Sequence, residues 1–202
     1  LDLDRSHEGF GEAVRRLLSQ ADSDPAFGQG IRGTLASLIR VDQDRELAIE
    51  TALGPAVQNI VTDREETASR LIEHLKKTRS GRATFLPIAS IKGRRLENGL
   101  YNTLAGMPGF IGLGSELVRH DDDLTAIVEF LLGRVVVAEN LDFAIQMARR
   151  TGYACRIVTL EGDLINPGGS MSGGYHRTSG SGVLSRAREL DELAQSIDQL
   201  QN

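Results

Sequence analysis

The sequence predicts a mixed α/β protein made of two pseudo-repeated subdomains with a helical segment at each end. Three observations carry this expectation. The 202-residue chain is 40% hydrophobic, enough to bury a core in one large domain or two small ones. Slid against itself by 79 residues, the chain matches nine positions in 25 columns, where ordinary residue frequencies give about one or two. Each copy also alternates helix-forming stretches with short β-rich runs, punctuated by some of the 22 glycines.

The matched pairs are Gly30/Gly109, Gly33/Gly112, Leu38/Leu117, Arg40/Arg119, Asp42/Asp121, Asp44/Asp123, Glu50/Glu129, Leu53/Leu132 and Gly54/Gly133. Shorter offsets continue the repeat through Val61/Val137, Ala68/Ala144, Gly81/Gly152 and Ala83/Ala154, so the first copy has the longer loops. Two copies make no solenoid, but they can offer quasi-equivalent faces to another molecule.

The elements follow in order. Residues 1–20 are expected to form a helix whose apolar stripe is Phe10, Ala13, Val14, Leu17 and Leu18, ended by Ala21-Asp22-Ser23-Asp24-Pro25. The first subdomain covers 21–100 and the second 101–182. In each, an apolar segment (35–41 and 117–120) leads to an aspartate at a helix N-cap, Asp44 or Asp123, whose carboxylate suits an orphan amide. The first-copy helix carries Leu47, Ala48 and Ala52 and stops at Gly54-Pro55, and its counterpart stops at Gly133. A β-rich run comes next (57–61 and 135–137). A second helix starts at Thr62 or Asp63, with Glu65 or Glu66 as a capping box, and ends at Gly81, as its counterpart ends at Gly152. An extended segment closes each copy, 83–88 and 156–160. In the C-terminal helix, 183–202, Val183, Leu190 and Ile197 lie seven apart, with Leu193 and Leu200 three beyond the last two. Two heptads fit either a terminal helix packed on its own domain or the start of a coiled coil.

Composition removes several function classes. Lys+Arg 23 against Asp+Glu 28 gives a net charge of −5, so a generally basic nucleic-acid coat is excluded and any such contact must be a local patch. The single cysteine, Cys155, makes no internal disulfide, suits a cytoplasmic setting and reads as a buried small hydrophobe in a β-forming stretch. No apolar run approaches the roughly 20 residues of a membrane span, and the N-terminus lacks the regions of a signal peptide, so no membrane partner and no secretion are expected. Three Tyr, six Phe and no Trp argue against base-stacking platforms. His7, His74, His120 and His176 have no metal-binding spacing, and no serine sits in a nucleophile elbow, so neither a metal nor a catalytic residue is expected. Asp121-Asp122-Asp123 has the chemistry of a hard-cation site, but its alignment with Asp42-Gln43-Asp44 favours helix capping.

After the last strand comes Glu161-Gly162-Asp163-Leu164-Ile165-Asn166-Pro167-Gly168-Gly169-Ser170-Met171-Ser172-Gly173-Gly174. It has neither the lysine of a phosphate loop nor the spacing of a dinucleotide fingerprint. Its glycine pairs fit a flexible loop or a place where another backbone approaches closely.

This segment with the preceding Val158-Thr159-Leu160, together with Gly81-Arg82-Ala83-Thr84-Phe85-Leu86-Pro87 and Ala52-Leu53-Gly54-Pro55-Ala56-Val57-Gln58-Asn59-Ile60-Val61, closely resembles the hinge domain of the structural-maintenance-of-chromosomes (SMC) ATPases, the bacterial members above all. The resemblance runs from about Phe10 to Leu200. It implies the SMC hinge fold, in the middle of a longer protein whose antiparallel coiled coil joins the hinge to ATPase heads, with the terminal helices here as coiled-coil roots. The chain has no G-x-x-x-x-G-K-[ST] run, so no cofactor and no catalysis are expected in it; ATP and Mg belong to the heads.

The resemblance further implies a homodimer acting in chromosome condensation and segregation, nucleoid-associated in the cytoplasm, with DNA as a second partner. The family's dimerisation segment maps onto Leu164, Ile165, Gly168, Gly169, Gly173 and Gly174. DNA-binding candidates are Lys76, Lys77, Arg79 and Arg82, then Lys92, Arg94 and Arg95, with Arg149 and Arg150 in the second copy. The residues themselves leave another reading open, since cations just before Gly81 and Gly152 stabilise a helix C-terminus in any protein by about 0.3–1 kcal/mol. That account does not cover Lys92-Gly93-Arg94-Arg95. A competing class is a small-ligand or nucleotide-binding domain using the glycine-rich segment.

Overall fold

A computed structural model describes residues 10–175 and 182–201; His7, His176 and the start of the predicted N-terminal helix lie outside the described residues. Helix α1 (Glu12–Ser23) buries the expected stripe, Ala13, Val14, Leu17 and Leu18. Asp24 ends it and caps α2 (Pro25–Gly28), accepting from the Ala26 and Phe27 amides. Strand β1 (Ile31–Thr34) leads into α3 (Leu35–Leu38), which Thr34 caps by accepting from the Ser37 amide. Next come β2 (Arg40–Val41), a 3-10 turn at Gln43–Arg45 and α4 (Glu46–Leu53). Gly54, with φ 53° and ψ −131°, ends α4 in a conformation that L side chains rarely adopt. After a second 3-10 turn, Gly54–Gln58, come β3 (Ile60–Thr62), α5 (Glu65–Thr78) and β4 (Phe85–Pro87).

The second copy starts with α6 (Asn98–Ala105) and β5 (Phe110–Leu113), then a 3-10 turn at Gly114–Leu117 and β6 (Val118–Arg119). A further turn, Asp122–Leu124, enters α7 (Thr125–Leu132), followed by β7 (Val135–Ala138) and α8 (Leu141–Arg150), which Asn140 caps through the Phe143 amide. The chain continues through β8 (Arg156–Thr159), β9 (Leu164–Ile165), β10 (Met171–Ser172) and α9 (Val183–Gln201).

Several local expectations are corrected. Asp44 and Asp123 lie inside 3-10 turns, and the N-cap positions fall to Asp42 and Asp121, neither of which makes a side-chain cap bond. The Asp42 carboxylate instead takes the Arg119 guanidinium, a charged donor that outcompetes an amide. Helix α5 begins at Glu65, later than expected, because the Asp63 carboxylate accepts from the Arg64 amide and the Thr67 hydroxyl. It ends at Thr78, with Arg79 as its cap in the left-handed conformation at φ 52°, before Gly81 is reached. The first half of the 57–61 run is helical turn, so only its end joins a strand.

The described residues form two compact units that interleave along the chain. One comprises residues up to Ile39, Pro55–Ile91 and those from Glu189; the other comprises Arg40–Gly54 and Lys92–Arg188. Helix α4, written in the first copy, therefore folds with the second unit. The first unit holds a sheet in the order β1-β3-β4, with β1 and β3 antiparallel and β3 and β4 parallel. Its core is Ala13, Val14, Leu17, Leu18, Ile60, Leu71 and Leu75. The second unit holds a five-stranded sheet, β10-β9-β8-β7-β5, in which β5/β7 is antiparallel and β7/β8 parallel. Leu104, Leu113, Val136, Met147, Ile157 and Ile165 are in its core. The register breaks between Ile31 and Gly33 in one sheet and between Phe110 and Gly112 in the other, the same repeat positions. Within the second unit β2 also pairs β6, setting Arg40 opposite Arg119, equivalent residues of the two copies.

Candidate functional site

The glycine-rich segment is a β-hairpin. Strand β9 pairs β8 on one side and β10 on the other, with Met171 opposite Ile165 and Ser172 opposite Leu164. Between them the turn closes through the Asn166 amide donating to the Ser170 carbonyl (2.8 Å) and the Gly169 amide to the Asn166 carbonyl (2.9 Å). Gly168 and Gly169 have φ of 88° and 101°, so the hairpin itself requires glycine there. A Cβ on Gly173 would run into the Asp163 carboxylate, and that carboxylate accepts from the Thr159 hydroxyl at 3.1 Å. The Asp163 side chain thus packs directly against Gly173. A Cβ on Gly174 would meet nothing within 4 Å.

Of the segment carried over by resemblance, the Ile165 side chain lies in the core at 1% exposure and Leu164 is half-buried. The outward-facing positions are Met171, 53% exposed, and Tyr175, 89% exposed, which the sequence reading did not select. Strand β10 ends its sheet, so one row of its backbone donors and acceptors has no strand partner among the described residues. Such an edge, followed by exposed apolar side chains, is a template for pairing with another chain. The signal was available in the sequence as a large residue on each side of Gly173-Gly174, but strand order was needed to read it.

The basic candidates divide between the units. In the first, Lys76 and Lys77 end α5, Arg79 is its left-handed cap and Arg82 is exposed in the following loop. Lys76 donates to Glu73 at 2.8 Å, and this contact holds the Glu73 carboxyl below its usual range. Beside them lies an open groove of about 630 Å³ lined by Glu12, Arg15, Arg16, His74, Thr78 and Ser80. Arg16 is tied to Glu12 and reaches the Ser80 hydroxyl at 3.5 Å. Arg15 and Arg16 thus add to this surface; they are far from α5 in sequence and no pattern linked them to it.

In the second unit, Lys92, Arg94 and Arg95 are exposed on the loop before α6. Arg94 stacks over the Phe130 ring at 5.3 Å, and Arg95 lies 3.9 Å from Glu129. The loop is held by the Leu96 amide donating to the Gly133 carbonyl at 2.9 Å. Arg149 and Arg150 are exposed at the end of α8, in the same unit.

Chemistry elsewhere is spare. Among the described residues no three His, Cys, Asp or Glu side chains are grouped to hold a metal ion, and no helix is long and apolar enough to cross a membrane. Burial pushes the Cys155 thiol up from its ordinary value, which suppresses the reactive thiolate.

Residues 28–148 match the family model described as the SMC proteins Flexible Hinge Domain. The chain is 40% identical over 193 residues to the chromosome partition protein Smc of Bacillus subtilis, an alignment covering 96% of this chain and 16% of that protein. It therefore spans about a sixth of that relative's length. The fold matches a crystal structure of an asymmetric dimer of the Geobacillus stearothermophilus SMC hinge domain with a TM-score of 0.88 at 38% identity, covering 99% of this chain and 78% of that one. A Pyrococcus furiosus Smc hinge domain with an extended coiled coil matches with a TM-score of 0.65 at 29% identity, covering 93% of this chain and 65% of that one. With its doubled α/β units, its flanking helices and its hairpin edge, the chain belongs to the SMC flexible-hinge family.

Proposed function

We propose that this chain is the homodimerisation hinge of a longer SMC protein acting in chromosome condensation and segregation at the nucleoid, with sequence-independent DNA contact as a second role. The observation that carries the reading is the unpaired edge of β10 beside exposed Met171 and Tyr175. The first unit's sheet also ends in a strand with one side unpaired among the described residues, β4. The second unit of one molecule then meets the first unit of its twin, β10 of each chain lying along β4 of the other in a closed two-fold ring. Leu193, Ile197 and Leu200 stand exposed on α9 at heptad-type spacing, as the root of a coiled coil requires. ATP and Mg act in head domains elsewhere in the longer protein.

Light scattering after gel filtration at micromolar concentration is expected to give twice the chain mass. G174E/Y175D is expected to weaken the dimer at least about 100-fold, since a charge at a docked edge is desolvated without a partner. A monomeric wild-type chain, or a variant that keeps the dimer mass, would refute the assignment. For DNA, K92Q/R94Q/R95Q is expected to lower affinity and flatten the log–log salt slope by up to about 3. Wild-type titrations at two salt concentrations would remove that loop from the interface.

A further inference from the structure

Helix α9 has no means of starting itself. The residue before it is Gly182, without a capping side chain, and only Leu184 and Ser185 of its 19 residues are buried. A 19-residue helix with so little packing and no cap is marginal in water. Its first turns are held from α4. The Glu50 carboxylate accepts from the Val183 amide, the first of the helix, at 3.1 Å, so an orphan donor is satisfied from a distant part of the chain. One turn earlier on α4, Glu46 is 5% exposed and accepts from the Ser185 hydroxyl at 2.7 Å and from Arg188 Nε at 2.6 Å. A Cβ on Gly182 would run into the Glu50 carboxylate, which therefore sits directly against this residue. All of these residues belong to the second unit.

The other copy repeats the arrangement on a different segment. Glu129 of α7 occupies the repeat position of Glu50. A Cβ on Gly93 would run into its carboxylate, as one on Gly182 would into that of Glu50, and Arg95 lies 3.9 Å from it. The residue four past each glutamate is also matched, Gly54 and Gly133, and the Gly133 carbonyl accepts from Leu96. Two equivalent glutamates therefore each close on a glycine of an incoming segment. One segment is the start of α9; the other is the basic loop.

We propose that Glu50 and Glu129 are paired clasps, Glu50 with Glu46 fastening the first turns of α9 and Glu129 fastening the Lys92–Arg95 loop, each able to release its segment without unfolding the unit. Limited trypsin digestion of the 202-residue chain reads both, since α9 carries Arg186 and Arg188 and the loop carries Lys92, Arg94 and Arg95. Cleavage in a folded segment follows its local opening. E46Q/E50Q is expected to speed cleavage after Arg186 and Arg188 about tenfold, and to leave cleavage after Lys92, Arg94 and Arg95 within about twofold of wild type. E129Q, which loses a 3.9 Å ion pair to a largely exposed Arg95, is expected to speed cleavage after Lys92, Arg94 and Arg95 about threefold and to leave cleavage after Arg186 and Arg188 unchanged. E50Q alone, at a half-buried side chain, keeps the selectivity at about threefold and decides the matter if the double variant does not fold. Unchanged cleavage at a variant's own segment, or an equal rise at every site, would overturn the proposal.

Discussion

The two sheets share a frame and differ at one end. In both, a strand with a bulge near its start pairs antiparallel with a central strand, β1 on β3 and β5 on β7, and a third strand joins in parallel, β4 or β8. The first sheet stops there, while the second adds the β9–β10 hairpin. The difference separates what the two copies share from what one copy alone carries. Gly30, Gly33, Gly109 and Gly112 belong to the shared frame, because they precede or enter the bulged strands. Gly168 and Gly169 have no counterpart in the first unit's sheet, since they turn a hairpin that sheet lacks. The added hairpin creates no new edge, since β4 in the shorter sheet is an edge too; it moves the outer edge from β8 to β10, where Met171 stands exposed and Tyr175 follows.

A sharper comparison comes from one matched pair, Gly54 and Gly133. At Gly133 φ is an ordinary −70°, but a Cβ would collide with the Arg94 carbonyl oxygen. At Gly54 there is open space, but φ is 53°. Identical residues at identical repeat positions are therefore held for different reasons, close approach in one copy and backbone conformation in the other. Gly133→Ala is expected to cost about 2–3 kcal/mol in urea unfolding, because backbone must move to admit the methyl. Gly54→Ala is expected to cost about 1–2 kcal/mol, the strain of the positive φ alone. Amide chemical shifts from Arg94 to Leu96 should move in the Gly133 variant and stay fixed in the Gly54 variant. Equal costs with the loop undisturbed in both would mean that the two helices end alike.

The repeat and the helices of its matched stretches were legible because they are written in local chemistry, apolar spacing and Gly-Pro stops, whereas the glycine pairs fitted a loop or a close approach and did not show the hairpin that Gly168 and Gly169 turn. Thr34 and Asn140 each act as a cap through a contact three residues on, within reach of pattern reading. The assignment of Arg40–Gly54 to the second unit was not legible, since α4 carries an ordinary amphipathic pattern that does not say which sheet it covers. The same limit applies to the proposed interface. Ile165 and Met171 sit opposite each other on adjacent strands, one in the core and one exposed, and only sheet order shows which strand is outermost. Aspartate before a helix usually caps, which puts Asp42 in a capping segment by sequence, but Arg119 lies 77 positions away and reaches it through the β2–β6 pairing.

That pair gives the smallest effect and the finest test of the comparison. Asp42 and Asp121 are repeat equivalents, and the Arg119 guanidinium holds the Asp42 carboxyl below its ordinary value, first by hydrogen bonding and then by charge. A carboxyl whose folded pKa is depressed lends stability that is present above its unfolded pKa, about 3.9, and is lost as pH falls through the folded value. Wild type should therefore melt slightly above Asp42→Asn at pH 5, and the gap should close as the pH is lowered well below 3.9. Both groups are largely in water, so 1 M salt at pH 5 should close it as well. A gap that ignores both pH and salt would show that Asp42 acts through its backbone position in the turn, as the aspartate–amide capping account requires, and not through its charge.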